Sequence, residues 1–289
     1  MDNYLLGNLI REYRERAEIS REELAGDFCA VSTLMRIESG EEIPGRALAN
    51  ELCSTLGLIP PATKRETTSR ADIDRYLIER KIKIKLSQKK YDYDDLLKKY
   101  AECEMNVYEQ QIHDYYAALA LLKNKASPEK LYELLSSSLA LTLFTRTEKF
   151  LPLRRLLSKM ELLLIRQLSL AQYKLGMKDD AFAIMNYLDK FYERGICLEE
   201  VSKMEYPQVL RFLSEWNLER GENERVVSIA ERGFPECLKS SLLYPFVHIF
   251  QARATALSLL NSEDAQIENK MADMLVAMSE NAMRENEIE

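Results

Sequence analysis

The side chains that most often perform catalysis or bind metals are sparse in this sequence. It contains two histidines, His113 and His248, and five cysteines scattered along the chain. Neither histidine has a cysteine or a second histidine at a ligand spacing, and no glycine-rich phosphate loop, nucleophile elbow or zinc motif is present. We therefore expect a protein that is not an enzyme and that uses no metal or cofactor. The separated cysteines predict reduced thiols and not disulfides.

The most informative stretch of the sequence is instead residues 20–40. Ser20 has the position of a helix N-cap, with Glu23 three residues further on, as in a capping box. Leu24 and Phe28 then recur at helical spacing and are expected to face a core. The pattern predicts a short helix that begins at residue 21.

A second helix is predicted from about residue 31 to residue 39, with Leu34 and Ile37 pointing inward. Gly40 supplies the left-handed residue that ends it, and Pro44 prevents it from resuming. Two short helices joined by a tight turn form a helix-turn-helix, whose second helix enters the major groove of DNA. The alternative is an unrelated small helical bundle with a glycine stop.

A wider set of residues resembles a Cro/C1-type (xenobiotic-response-element) DNA-binding domain over roughly residues 5–60. The matching positions are Leu6-Gly7, Ile10-Arg11, Arg14, Ser20, Glu23-Leu24-Ala25, Arg36-Ile37-Glu38-Ser39-Gly40, Pro44, Leu52 and Leu56-Gly57. The piece from Cys29 through Ser32 to Gly40 is similar to the version found in peptide-responsive regulators of Gram-positive bacteria. Arg21 departs from the family, which usually has glutamine at that position, and arginine differs from it in charge and geometry.

The resemblance implies a DNA-binding role for six residues. Base edges would be contacted by Val31, Ser32 and Arg36, and phosphates by Arg21, Thr33 and Arg46. It also implies a structural ion pair between Arg14 and Glu38. Two alternatives remain open: Arg36 as an ordinary exposed arginine, and Ser32 and Thr33 as N-terminal caps of their helix.

Composition predicts an all-α protein of two domains. The chain has 289 residues, of which 46% are hydrophobic, with only 9 glycines and 8 prolines. A proline-containing polar stretch predicts a linker over residues 61–70, between a five-helix DNA-binding bundle at 1–60 and a second domain at 71–289. No apolar run reaches about 18 residues, and the N-terminus lacks a signal-peptide pattern, so we expect a cytoplasmic protein with no membrane contact.

The net charge of −7 does not by itself indicate DNA binding. Residues 1–60 carry six arginines against eleven acidic residues. Since phosphate neutralisation supplies most non-specific affinity, we expect one domain to bind DNA weakly and a homodimer to be required. The basic run 80–85 either flanks the DNA or is an ordinary solvated helix face.

The second domain contains a repeated pattern of two helices joined by a turn. Helix-ending signals recur at 88–92, 123–127, 175–179, 220–224 and 260–264. The pattern predicts a degenerate tetratricopeptide-like α-solenoid of about five helix pairs, with the tail from Ala265 as a last helix. A non-repetitive helical bundle is the alternative.

Stacked helix pairs form a concave face that suits an extended peptide. Eight polar or aromatic residues on the first helices of the units are candidates for holding it: Arg166, Gln167, Tyr173, Gln208, Arg211, Glu215, His248 and Gln251. Each of them, taken singly, also fits a surface or core-edge position.

The two parts together resemble the Rgg/PlcR-like regulators. The resemblance implies a homodimeric transcription factor of the quorum-sensing type that binds double-stranded DNA and a short signalling peptide. Two alternatives stay open: a DNA-binding repressor whose repeats bind a protein partner, and a repeat scaffold with vestigial DNA binding.

Overall fold

A computed structural model describes residues 3–26, 28–56, 70–88, 90–103, 105–143, 157–194 and 199–285. Every regular element in these ranges is an α-helix, which confirms the all-α prediction. The chain divides into two compact units, residues 1–181 and residues 182–289. No described helix has both the length and the apolar character needed to cross a membrane.

Four helices are described before residue 57: α1 (Asn3–Arg16), α2 (Arg21–Ala25), α3 (Val31–Glu38) and α4 (Arg46–Thr55). The hydrophobic residues buried in these helices are mostly aliphatic, and the fully buried ones include Ile10, Leu24, Leu34, Ile37 and Leu52. The expected bundle extends to residue 60 and the expected linker to residue 70, but residues 57–69 lie outside the described part of the chain.

Ten further helices follow in the described ranges. They are α5 (Arg70–Ser87), α6 (Asp94–Ala101), α7 (Val107–Lys123), α8 (Pro128–Ala140), α9 (Lys159–Lys174), α10 (Lys178–Glu193), α11 (Glu199–Glu219), α12 (Asn223–Lys239), α13 (Leu243–Leu259) and α14 (Ala265–Glu285). Each of the five turn signals read from the sequence falls between the two helices of one pair, and α14 begins at Ala265.

The helices pack as a repeat within each unit. In the first unit α7 contacts both α8 and the first helix of the next pair, α9, while α8 also contacts α9. In the second unit α11 contacts α12 and α13 in the same way, and α12 contacts α13. First helices therefore pack on first helices, which is the arrangement of a helical-repeat domain.

Left-handed residues close the helices of these repeats. Lys125, Gly176, Gly221, Ser241 and Asn261 all have φ between 53° and 82° and directly follow the last turn of a helix. After α12, for example, Leu242 N donates to Cys237 O at 3.0 Å and Ser241 N donates to Leu238 O at 3.2 Å. This pair of bonds is the Schellman motif, which satisfies backbone carbonyls at a helix end.

Phe28 does not face the core, contrary to the expectation from its spacing. Its residue is 47% exposed. The reason is that α2 ends at Ala25 and Gly26 turns the chain with φ of 44°, so Phe28 is not on the buried face of that helix. Ser20 does cap α2, since its Oγ accepts from Glu23 N at 3.0 Å.

Candidate nucleic-acid interface and repeat-domain polar cluster

Helix α3 is held against the bundle by its inner face. Leu34 and Ile37 are fully buried, and α3 contacts both α1 and α2. Gly40 follows the helix with φ of 79°, a conformation that a residue with a Cβ adopts at a cost. The chain thus leaves α3 sharply, and its outer face stays open.

Gly7 sets how closely α1 approaches α3. A Cβ built at this position would overlap the Ile37 carbonyl oxygen and would lie 3.0 Å from its carbonyl carbon and 3.4 Å from Glu38 Cα. All three atoms belong to the backbone of α3, so no side chain can rotate away. A residue without a side chain is required where the two helices cross.

The outer face of α3 carries three exposed side chains. Ser32, Met35 and Arg36 are exposed, while Val31 and Thr33 are partly buried. Residues at spacings of three and four share one side of a helix, so Ser32, Met35 and Arg36 form a continuous surface. Of the residues predicted to contact bases, the structure thus places Ser32 and Arg36 side by side.

Met35 was missed by the sequence argument. It is 51% exposed and lies on the face formed by Ser32 and Arg36. Helical periodicity could have predicted this, because Leu34 and Ile37 point inward and residue 35 then lies on the outer face of the helix. An exposed thioether here offers an apolar contact of the kind that thymine methyl groups take.

The Arg36 guanidinium is tethered but accessible. Its Nη1 lies 3.2 Å from Glu42 Oε2, and the Arg36 side chain is 59% exposed. An ion pair this exposed is worth little in water, so the arginine can leave Glu42 for a stronger acceptor.

Arg14 and Glu38 lie in contact beneath this face. Arg14 Nε donates to Glu38 Oε1 at 2.6 Å and Nη2 donates to Oε2 at 3.1 Å, and the Glu38 side chain is only 2% exposed. Burial opposes the charged carboxylate, but hydrogen bonds from Arg14 and then Arg21 outweigh it, so the pKa of Glu38 lies below its ordinary value. The hydrogen bond to Glu38 likewise raises the pKa of Arg14. The pair fixes the end of α3 to α1.

Arg21 joins the same carboxylate. Its Nε donates to Glu38 Oε2 at 2.8 Å, and its side chain is 35% exposed. Arginine at this position therefore ties α2 to the last residue of α3, and its predicted phosphate contact stays a prediction. Arg46, the other predicted phosphate contact, is the first residue of α4, and its side chain lies outside the described part of the structure.

The repeat domain brings four of the predicted peptide-binding residues together in the second unit. Arg211 Nε donates to Gln208 Oε1 at 3.3 Å and its Nη1 donates to Glu215 Oε1 at 2.9 Å. His248 Nδ1, on α13, lies 3.5 Å from the same Glu215 oxygen. We call Gln208, Arg211, Glu215 and His248 the polar cluster.

Aromatic rings border the polar cluster. The Arg211 guanidinium carbon lies 3.8 Å from the Phe212 ring centroid and 5.3 Å from that of Tyr244. Tyr244 is half exposed, and its ring centroid is 4.5 Å from the His248 ring. Burial and the Arg211 charge lower the pKa of His248 against the opposing effect of Glu215, so the neutral imidazole is favoured. The cluster offers both donors and acceptors.

The remaining predicted peptide-binding residues are placed differently. Gln251 is exposed on α13. In the first unit, Arg166, Gln167 and Tyr173 all lie on α9, and the Lys178 ammonium sits 4.9 Å from the Tyr173 ring centroid. Gln167 is only 5% exposed and its Oε1 has no hydrogen-bond partner in the described residues, so it is a core-edge amide in this conformation.

Comparison with known proteins agrees with the geometry of the first four helices. Residues 5–66 match the helix-turn-helix domain family. The chain carries a helix-turn-helix domain. No curated protein matches this chain significantly.

Solved structures extend the likeness beyond the helix-turn-helix domain. PlcR of Bacillus thuringiensis, in complex with the peptide PapR7 and DNA, is 15% identical, with a TM-score of 0.56 and coverage of 98% of each chain. The apo form of the same PlcR is 14% identical, with a TM-score of 0.58, and the match covers 98% of this chain and 97% of that one. At this identity the likeness shows the fold, a helix-turn-helix domain followed by a helical-repeat domain.

Proposed function

We propose that this protein is a sequence-specific DNA-binding transcriptional regulator that acts as a homodimer and responds to a short peptide. The DNA-binding part rests on one observation above all. The outer face of α3 leaves Ser32, Met35 and Arg36 exposed together, on the second helix of a helix-turn-helix domain. In that fold this helix lies in the major groove, where arginine makes its most frequent specific contact with guanine.

The proposed domain division is residues 1–60 for DNA binding, 61–70 for the linker and 71–289 for ligand binding and dimerisation. The dimer follows from charge, because six arginines against eleven acidic residues in the first 60 neutralise few phosphates. A second copy adds a second half-site, spaced about one helical turn away on the DNA.

The peptide is proposed to contact the first helices of the repeats. The polar cluster supports this proposal, because amide, guanidinium, carboxylate and imidazole groups converge beside the half-exposed Tyr244. Such a set matches the alternating donors and acceptors of a peptide backbone. PlcR, which shares the fold, has been solved with a peptide and DNA bound. Gln251 of the second unit, and separately Arg166, Gln167 and Tyr173 on α9 of the first unit, stay predicted peptide contacts.

Peptide binding is proposed to act by changing the separation of the two DNA-binding domains. Coupling of this kind requires that the peptide bind one domain arrangement better than the other.

Footprinting of the full-length protein on genomic fragments tests the DNA-binding proposal. We expect protection of two related half-sites about one helical turn apart, and absence of any protected repeat would contradict the DNA-binding proposal.

The peptide ligand is tested by adding the small-peptide fraction of spent culture medium and measuring DNA affinity. We expect His248→Ala to remove the response while DNA binding without the fraction stays unchanged. A response to the protein fraction alone would favour the repressor with a protein partner.

A further inference from the structure

The last described helix, α14, has apolar residues on two opposite faces. Its inner face is buried on α13, where Ala272 packs with Phe250 and Ala254. Its outer face carries Ile267, Met271, Met274 and Met278, which are 64%, 49%, 66% and 65% exposed. We call these four residues the outer stripe.

The outer stripe is one continuous surface. Its members are separated by four, three and four residues, the spacing of the apolar seam of a coiled coil. Together they expose roughly 500 Å² of mainly apolar area, within the range of the largest apolar patches on monomeric proteins, and such patches often mark interaction sites. Methionine side chains adapt readily to an opposing surface.

We propose that the outer stripe is the contact between two copies of this chain, with α14 packed antiparallel on the α14 of its partner. The proposal rests on the homodimer proposed above and assigns one surface to it. The spacing of four, three and four is unchanged when the direction of the helix is reversed. A two-fold axis midway along the stripe therefore sets Ile267 opposite the partner's Met278 and Met271 opposite the partner's Met274, as an isologous contact requires.

Charge favours a second copy at this surface. The chain carries a net charge of −7, so two copies repel each other overall, whereas the outer stripe itself is uncharged. The exposed charged residues between its members are Lys270 and Asp273, one of each sign. Glu268 is already paired with Arg253 of α13.

Area also agrees with a self-contact. Two apposed stripes bury about 1,000 Å², which is the lower limit for a specific protein interface. A membrane surface is a poorer occupant, because helices that lie on membranes carry many lysines and arginines on the polar face, and the described part of α14 exposes only Lys270. Because the buried area is near that lower limit, contact through α14 alone is expected to give a dimer of moderate affinity.

Sedimentation equilibrium of the full-length protein tests the proposal. The variant M271E/M274E places two carboxylates in each stripe, and the dimer dissociation constant is expected to rise at least ~100-fold, since each buried methionine contributes about tenfold or more. The matched control is Met204→Glu, at a residue of α11 that is 61% exposed and outside the stripe. It is expected to leave the dimer intact, and circular dichroism checks that both variants fold.

Mixing single variants tests the antiparallel register. Met271→Glu and Met274→Lys each weaken the dimer alone, whereas a mixture of the two chains is expected to associate more tightly, because the two new side chains face each other. A dimeric M271E/M274E variant, or a mixture no tighter than either chain, would overturn the proposal. If M271E/M274E stays dimeric and protects both half-sites, the assignment of the dimer contact to the outer stripe is wrong, but the proposed homodimer is not contradicted. A wild-type chain that is monomeric with and without DNA would contradict both.

Discussion

Replacement of Gly7 by alanine tests how the helix-turn-helix domain positions its outer face. The added Cβ would overlap the Ile37 carbonyl oxygen of α3, with the Ile37 carbonyl carbon at 3.0 Å. Since these are backbone atoms, α1 and α3 must move apart to relieve the overlap. The displaced helix is the one that carries Ser32 and Arg36.

Two opposing effects set the size of the change. Alanine is favoured over glycine within a helix by about 1 kcal/mol. Overpacking of a close contact costs about 1–3 kcal/mol and sometimes more, and a rigid backbone neighbour puts this site at the upper end or above it. The cost of overpacking therefore exceeds the gain in helix preference, and we expect the helix-turn-helix domain to lose about 2 kcal/mol of stability.

Amide hydrogen exchange of the full-length protein measures this loss locally. A loss of about 2 kcal/mol makes exchange through opening ~30-fold faster in peptides from α1 and α3. Gly45→Ala is the control in the same domain, because a Cβ at Gly45 meets nothing within 4 Å, and we expect it to cost less than ~1 kcal/mol. Exchange in α1 and α3 that is unchanged or slower in Gly7→Ala would refute the reasoning.

Two further predictions concern stability. Ser241→Gly removes a side chain from a left-handed residue (φ of 53°) and is expected to stabilise the second unit by about 1 kcal/mol. Gly176→Ala adds a side chain at a φ of 82°, with no atom near the new Cβ, and is expected to destabilise the first unit by about as much. Local hydrogen exchange of each unit measures both changes in stability, and changes of the same sign would contradict the prediction. The pKa of Glu38 is lower in the folded than in the unfolded chain, so its stabilising effect is complete above the unfolded value of about 4.3 and is lost as pH falls through the folded value. Denaturation of wild type and Glu38→Gln from pH 6 to pH 3 should show a steeper loss of helix-turn-helix stability in wild type, and parallel curves would count against it.

Local sequence signals were sufficient for the elements themselves. Ser20 caps α2, Gly40 ends α3 in the left-handed region, and the turns between paired helices were placed correctly because capping and helix stops depend on a few neighbouring residues. The all-α fold with a helix-turn-helix domain and a helical-repeat domain was predicted and is confirmed.

Features that depend on contacts distant in sequence were not predictable in the same way. Helical spacing alone placed Phe28 in the core, although a turn at Gly26 leaves it exposed. Arg21 was expected to contact phosphate, and only the packing of α2 on α3 shows that Glu38 holds it. The helix crossing that requires Gly7 is likewise invisible until α1 and α3 are packed together. The residues proposed to contact DNA and peptide stay predictions.

The affinity of the full-length protein for its footprinted site, with Arg36→Ala beside wild type, tests the central claim most directly. Arg16→Ala is the matched control, because Arg16 is also an exposed arginine that pairs with one glutamate, on α1. We expect Arg36→Ala to weaken specific binding about 5- to 150-fold, the 1–3 kcal/mol of a base-reading contact, with little effect on non-specific DNA. Arg16→Ala should change neither affinity. Equal affinities of wild type and Arg36→Ala for the specific site would contradict the claim that the outer face of α3 reads DNA sequence.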